Sequence, residues 1–173
     1  VRIFLIPPVK ANQGARMLNI KFWGVRGSIP VPGDQTTAIG GNTSCIELMN
    51  SKRELLIIDA GTGIRNLGNH ILNHYLKEGI SSCSVLLTHT HWDHIQGFPF
   101  FTPIYIKNFK INVYGPARRN ETLKDIISGQ MNYPYYPINI SDLKAHIAFH
   151  DLSENFFNLG AYRITPKVLN HPV

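Results

Sequence analysis

The chain has 173 residues, 43% of them hydrophobic and 16% charged, which suits one globular domain with a real core and argues against disorder or a repeat array. Its net charge of +6 and pI of about 9.4 favour anionic partners such as phosphate esters or nucleic acid. No apolar run approaches the roughly 20 residues of a spanning helix, and the stretch 3–6 is cut short by Pro7 and Pro8, so neither a membrane span nor a secretory signal is expected.

Residues 1–16 show no clear period, whereas Met17 opens a run at 18–23 that reads as a strand. The domain is therefore expected over 17–173, with 1–16 as an upstream linker or cloning remnant outside the fold. From 24 to 41 the chain is loop-like, with Gly24, Gly27, Gly33, Gly40 and Gly41. Strands are expected at 44–49 and 54–59. Gly61 and Gly63 then lead into an amphipathic helix over 64–77, with Ile64, Leu67, Ile71, Leu72 and Tyr75 on its apolar side. A strand at 84–88 is followed by a hydrophobic segment at 98–105, in which Phe98, Phe100 and Phe101 read as core. A strand at 110–114, a short helix at 121–128 and strands at 145–150 and 161–169 complete a mixed α and β order, whose ligands usually sit at the C-terminal ends of strands.

One such strand end carries the chemistry. Residues 89 to 94 read His-Thr-His-Trp-Asp-His, directly after Val85, Leu86 and Leu87. If the strand stays extended through His89 and His91, their imidazoles leave the same face and can close on one ion. Asp93 and His94 follow where the chain turns before Gly97, within reach of a second ion. Imidazole and carboxylate suit zinc and its first-row neighbours, and a histidine-rich trio with an open position is how catalytic zinc is usually held. His70 and His74 share a helical face without a third donor and read as surface residues; His146 and His150 fall on a strand and are left out of the site.

Other features keep two readings. The basic group Lys107, Lys110, Arg118 and Arg119 is a solvated face or an anion track. Tyr133, Tyr135 and Tyr136 pack their own loop or form a base-stacking wall. The loop Gly41, Asn42, Thr43 and Ser44 offers N–H groups and hydroxyls for a phosphate, or is chosen only for its turn geometry. Cys45 and Cys83 lack the spacing of a zinc knuckle and cannot build a disulfide framework, so they read as buried thiols of a reducing cytoplasm.

These residues resemble the metallo-β-lactamase fold hydrolases, whose metal motif HxHxDH is matched by His89, His91, Asp93 and His94. The segments KFWGVRGSIPVPG at 21–33, GGNTSC at 40–45, IIDAGTGIRNLG at 57–68 and HWDHIQGFPFF at 91–101 resemble the branch containing RNase Z and small phosphodiesterases. The resemblance implies an α+β fold, the αββα sandwich, with only its N-terminal half to two-thirds present, since no residue matches the bridging aspartate and final histidine of the second half. It implies that His89 and His91 hold one zinc ion together with His171, and that Asp93 and His94 hold the other. Asp59 resembles an aspartate that braces the metal loop through hydrogen bonds, although it also reads as a carboxylate capping the helix after Gly61.

The implied function is a cytoplasmic, zinc-dependent phosphodiesterase acting on a nucleotide, a cyclic phosphate or an RNA 3′ end. Two zinc ions roughly 3.5 to 4 Å apart would activate a hydroxide, with Asp93 as ligand and catalytic carboxylate. Mn²⁺ or Fe are alternative occupants. The expected partner is an anionic phosphodiester, with no membrane contact and a homodimer as an admissible assembly. Thioester or lactam hydrolysis, or a non-catalytic half-domain, are the alternatives.

Overall fold

The apolar run at residues 55–58 and the strand at 82–86, buried at its Val85–Leu86 end, become parallel neighbours in the sheet, which is why 55–58 and 85–87 read as continuous hydrophobic stretches. The computed structural model describes residues 17–118, 120–153 and 155–167 and the backbone of Arg2–Leu5. Among the described residues the elements run β1 (Arg2–Leu5), β2 (Leu18–Gly24), β3 (Cys45–Asn50), β4 (Leu55–Ile58), α1 (Gly63–His70), β5 (Ser82–Leu86), α2 (Trp92–Ile95), β6 (Lys110–Pro116), α3 (Leu123–Gly129), β7 (His146–Leu152), β8 (Phe157–Leu159) and β9 (Tyr162–Lys167).

Strands β2 to β7 form one six-stranded sheet in chain order, antiparallel from β2 to β4 and parallel from β4 to β7. Parallel neighbours require crossovers, and α1 and α3 lie in two of them. Ile64, Leu67 and Ile71 on the α1 side pack with Ile57, Val85, Ile111 and Val113 of the sheet. On the opposite face Leu48, Leu56 and Leu86 meet Tyr162 and Ile164 of a small antiparallel sheet ordered β1-β9-β8. Helices, large sheet and small sheet are three layers of the expected αββα sandwich. The small sheet is anchored at its β8–β9 turn, where Ala161 N–H donates to Glu54 Oε2 at 2.8 Å and the Tyr162 hydroxyl to Glu54 O at 3.0 Å. Leu18, Ile20 and Phe22 face the same side of the large sheet from β2 and are exposed.

Several expectations need correction. Arg2–Leu5, expected outside the fold, pairs antiparallel with β9 along its whole length. The helix expected to reach 77 is α-helical only to His70 and continues through a wider π-type turn, Ile71–Tyr75. That turn brings the Tyr75 hydroxyl onto Glu47 Oε1, while Trp23 Nε1 donates to Glu47 Oε2 at 2.7 Å, so a carboxylate 3% exposed is satisfied from two sides. The same widening carries Leu72 off the apolar stripe into solvent. Phe98 and Phe101 are fully buried, but Phe100 is exposed and meets Tyr136 edge to face. The short β8 had no sequence signal. α3 starts at a capping box, with the Thr122 hydroxyl accepting from Asp125 N and the Asp125 carboxylate accepting from Thr122 N. Both cysteines are buried, which pushes their thiols up. Among the described residues no helix is long and apolar enough to cross a membrane.

Two loops that follow sheet strands interlock at the C-terminal edge. Ala60 N donates to His94 O at 2.7 Å, Gly97 N to Ala60 O at 2.8 Å and Gly61 N to Ser44 O at 2.9 Å. A Cβ on Gly97 would lie 2.1 Å from Gly61 O, and one on Gly61 would lie 2.4 Å from Asp93 O, so glycine is required at both. Gly97→Ala should therefore destabilise the protein by about 2 kcal/mol or more, because the atoms nearest the added methyl are the Gly61 backbone and the buried Ile64 side chain. Urea unfolding measures this, and an unchanged midpoint would contradict the close approach.

Candidate metal centre

β4 ends at Ile58, and the next residue, Asp59, adopts a left-handed backbone (φ 62°) that turns its 2% exposed carboxylate into the loop layer. Oδ1 accepts Thr88 N–H and the Thr88 hydroxyl, both at 2.8 Å. Oδ2 accepts the Ser44 hydroxyl at 2.9 Å and faces His94 Nδ1 at 2.7 Å. Asp59 thus ties together the loops after β4 and β5 and the start of β3. It caps no helix: the residue at the N-cap of α1 is Thr62, and no side-chain bond closes that end.

The chain does not stay extended through the histidines. β5 stops at Leu86, and His91 is the extended residue from which the one-turn helix α2 starts, carrying Asp93 and His94. The donors nonetheless gather, through a turn rather than a strand face. The His89 ring lies 4.6 Å from that of His91 and 4.0 Å from that of His94. Asp93 Oδ2 is 3.6 Å from His94 Nε2. Thr88 Oγ1 is 3.1 Å from His89 Nδ1 and 3.3 Å from His94 Nδ1. Among the described residues no three His, Cys, Asp or Glu side chains stand as a finished cage around one point. The chemistry of the set fits a divalent ion all the same, since three imidazoles and one carboxylate share a site and a buried carboxylate backs one of them. His171 lies outside the described residues.

Electrostatics sharpens the roles. Burial opposes a charge on His94, but the hydrogen bond and charge of Asp59, with Asp93 nearby, outweigh it and raise its pKa. With Asp59 on Nδ1, the proton of a neutral His94 belongs on Nδ1, and Nε2 faces Asp93 as the donor atom an ion would use. Burial also opposes ionisation of Asp93. The Ser28 N–H at 2.8 Å from Oδ2 and the charges of His94 and His89 overcome it, holding the carboxyl below its usual range.

The loop at 41–44 abuts this centre, but its side chains serve the scaffold. A Cβ on Gly41 would sit 1.8 Å from Val31 O. Asn42 Oδ1 accepts the Thr62 hydroxyl at 3.0 Å, and the fully buried Thr43 exchanges hydrogen bonds with Thr62 at 3.0 and 2.8 Å. Ser44 is held by Asp59. The other histidines stay away from the motif: His70 packs among Trp23, His74 and Tyr75, and His150 stacks on Tyr114 at 4.4 Å. His146 is exposed on β7. Tyr133 and Tyr135 are exposed, whereas Tyr136 is held through its hydroxyl by Tyr105 and Pro99 O. Lys107, Lys110 and Arg118 are exposed, and Arg119 lies outside the described residues. Two groups went unassigned by residue type: Thr88, whose place directly before His89 was a readable signal, and the Ser28 amide, which no side-chain pattern reveals.

No family model matches the chain. Ribonuclease BN of Enterobacter sp. (strain 638) is 24% identical over 160 residues, which are 90% of this chain and 47% of that protein. Ribonuclease Z of Staphylococcus carnosus (strain TM300) gives the same identity and the same coverage. Hydroxyacylglutathione hydrolase of Baumannia cicadellinicola is 35% identical over 80 residues, 46% of this chain and 28% of that protein. The chain spans about half the length of the ribonucleases it matches. The chain is thus similar to ribonuclease BN and ribonuclease Z proteins over nine-tenths of its length, and to a hydroxyacylglutathione hydrolase over 46% of it.

Proposed function

We propose that the chain provides the metal-binding half of a metal-dependent phosphodiesterase acting on nucleotides, cyclic phosphates or RNA 3′ ends. The observation that carries the reading is the gathering of His89, His91, Asp93 and His94 at one strand end, with Asp59 2.7 Å behind His94. His89 and His91, joined by His171, would hold one zinc ion, and Asp93 and His94 a second; manganese or iron suits the same donors. When bound, such ions supply positive charge for the phosphoryl oxygens and ionise a water at neutral pH. Asp59 keeps the His94 proton on Nδ1. Asp93, kept ionised, can accept a hydrogen bond from the attacking nucleophile and so orient it. The net charge of +6 favours a phosphodiester over a neutral substrate, and the names of the ribonuclease relatives point the same way. The hydroxyacylglutathione hydrolase match supports thioester hydrolysis as the second reading, because the same donors serve an acyl carbon as well as a phosphorus.

His91→Ala should lower zinc content, measured by elemental analysis after dialysis, while the circular-dichroism spectrum keeps its shape. Full zinc occupancy in that variant would remove His91 from the site. Asp59→Asn should weaken zinc binding by about 10- to 100-fold, the usual effect of losing a carboxylate behind a ligating histidine. A competition titration with a chromophoric chelator reads it, and wild-type affinity would leave Asp59 a purely structural role.

The full-length protein should hydrolyse bis(p-nitrophenyl) phosphate with added Zn²⁺ or Mn²⁺ and act poorly on a phosphomonoester, a β-lactam and a glutathione thioester. Chelation should abolish turnover and metal restore it. A higher kcat/KM for the thioester or the lactam than for the diester, on one metal-loaded preparation, would give the reading to its competitor.

A further inference from the structure

The segment at 25–31 is an exposed ribbon with one unusual feature. Val25 N and Arg26 N both donate to Asn42 O, at 3.1 and 3.0 Å, and Val31 N donates to Gly41 O at 3.0 Å, so the ribbon is tied to the neighbouring loop at both ends. Between the ties Ile29 N donates back to Gly27 O at 3.0 Å, closing a three-residue turn whose central residue, Ser28, has φ 71°. A γ-turn of this hand is rare and strained for a residue with a side chain. Gly27, next to it and with open space where a Cβ would go, does not take the positive φ. The turn is therefore shaped by what its peptide groups bind.

Both sides of the turn are engaged. The Arg26 Nε donates to Ile29 O at 3.1 Å, bracing the turn from outside. The Ser28 N–H points inward to Asp93 Oδ2 at 2.8 Å, a contact across 65 positions of sequence. Asp93 stands on a one-turn helix, too short to fix a side chain by itself, and its carbonyl already abuts Gly61. The amide of Ser28 is thus an outside restraint on the direction of that carboxylate.

We infer that residues 26–29 are a positioning element for Asp93: the Arg26 guanidinium holds the strained turn, and the turn aims the Ser28 backbone N–H at Oδ2. The inference rests on the reading above in taking Asp93 as a metal ligand. Neither Arg26 nor the Ser28 hydroxyl touches substrate in this scheme. The serine acts through its backbone and the arginine through the serine.

Two readouts test it, one independent of metal. In ¹⁵N-labelled chain without metal, the Ser28 amide should exchange about tenfold faster in Asp93→Ala and in Arg26→Ala than in the wild type, with amide shifts of the sheet unchanged. In a zinc competition titration, Arg26→Ala should weaken binding about tenfold, as loss of an outer hydrogen bond to a ligand does. The same substitution made in Asp93→Ala should add nothing, because its effect passes through Asp93. Ser28→Gly, which keeps the N–H and enters the left-handed region freely, should retain wild-type affinity. A Ser28 amide indifferent to both alanine variants overturns the proposal, as does an Arg26→Ala loss that adds to that of Asp93→Ala. If the wild-type chain takes up no zinc, the metal reading fails, and amide exchange alone decides whether the turn positions Asp93.

Discussion

Asp59 brings two buried oxygens to four polar groups, and those groups arrive from positions 44, 88 and 94. A buried carboxylate left without partners costs several kcal/mol, so the three segments cannot separate without leaving that charge exposed to a poor environment. The left-handed backbone at Asp59 is what aims the side chain this way, and aspartate tolerates such a conformation better than a branched or bulky residue does. One side chain thereby sets the separation of the β4 and β5 loops, the position of Thr88 between two imidazoles, and the tautomer of His94.

Backbone contact completes what the carboxylate begins. Gly61 and Gly97 let the loops after β4 and α2 approach until peptide rests on peptide, which places Asp93 and His94 over the ends of the parallel strands. The arrangement follows a general property of such sheets: strand ends leave unpaired backbone and a crevice, and polar side chains collect there. The unusual element is the density of donors in six consecutive residues. A helix of one turn suffices to fold them together because everything around it is already fixed.

The sequence was most legible where a physical demand falls on neighbouring residues. The cluster of three histidines and an aspartate read directly because HTHWDH is nearly contiguous, and Leu55, Leu56 and Ile57 or Val85, Leu86 and Leu87 read as strands because both faces are buried. Legibility failed where distant partners decide. β5 ends at Leu86 while Leu87 N still reaches Tyr114 O and Asp59 N reaches Leu86 O, a boundary drawn by other strands. The helix widens after His70 with Tyr75 bonded to Glu47, 28 positions earlier. Phe100 looks like core beside Phe98 and Phe101, yet its 3-10 turn directs it outward. At 41–44 both readings of the loop were open from residue type, and only the partners of Thr43 and Ser44 show how their hydroxyls are engaged.

The helix that follows the Asp59 turn is fastened at each end to the same strand region. Thr62, at its start, is bonded to Thr43 and Asn42 just before β3, and Tyr75, at the close of the widened turn, reaches Glu47 within β3. An amphipathic helix held at one end can fray from the other, opening locally at little cost. Held at both ends, α1 belongs to the same cooperative unit as the central strands, and thermal motion that would lift it must first break the buried Glu47 contacts. The floor beneath the histidines thus inherits the slow opening of the sheet instead of the fast excursions of a surface loop, and the side chains above it keep their mutual spacing.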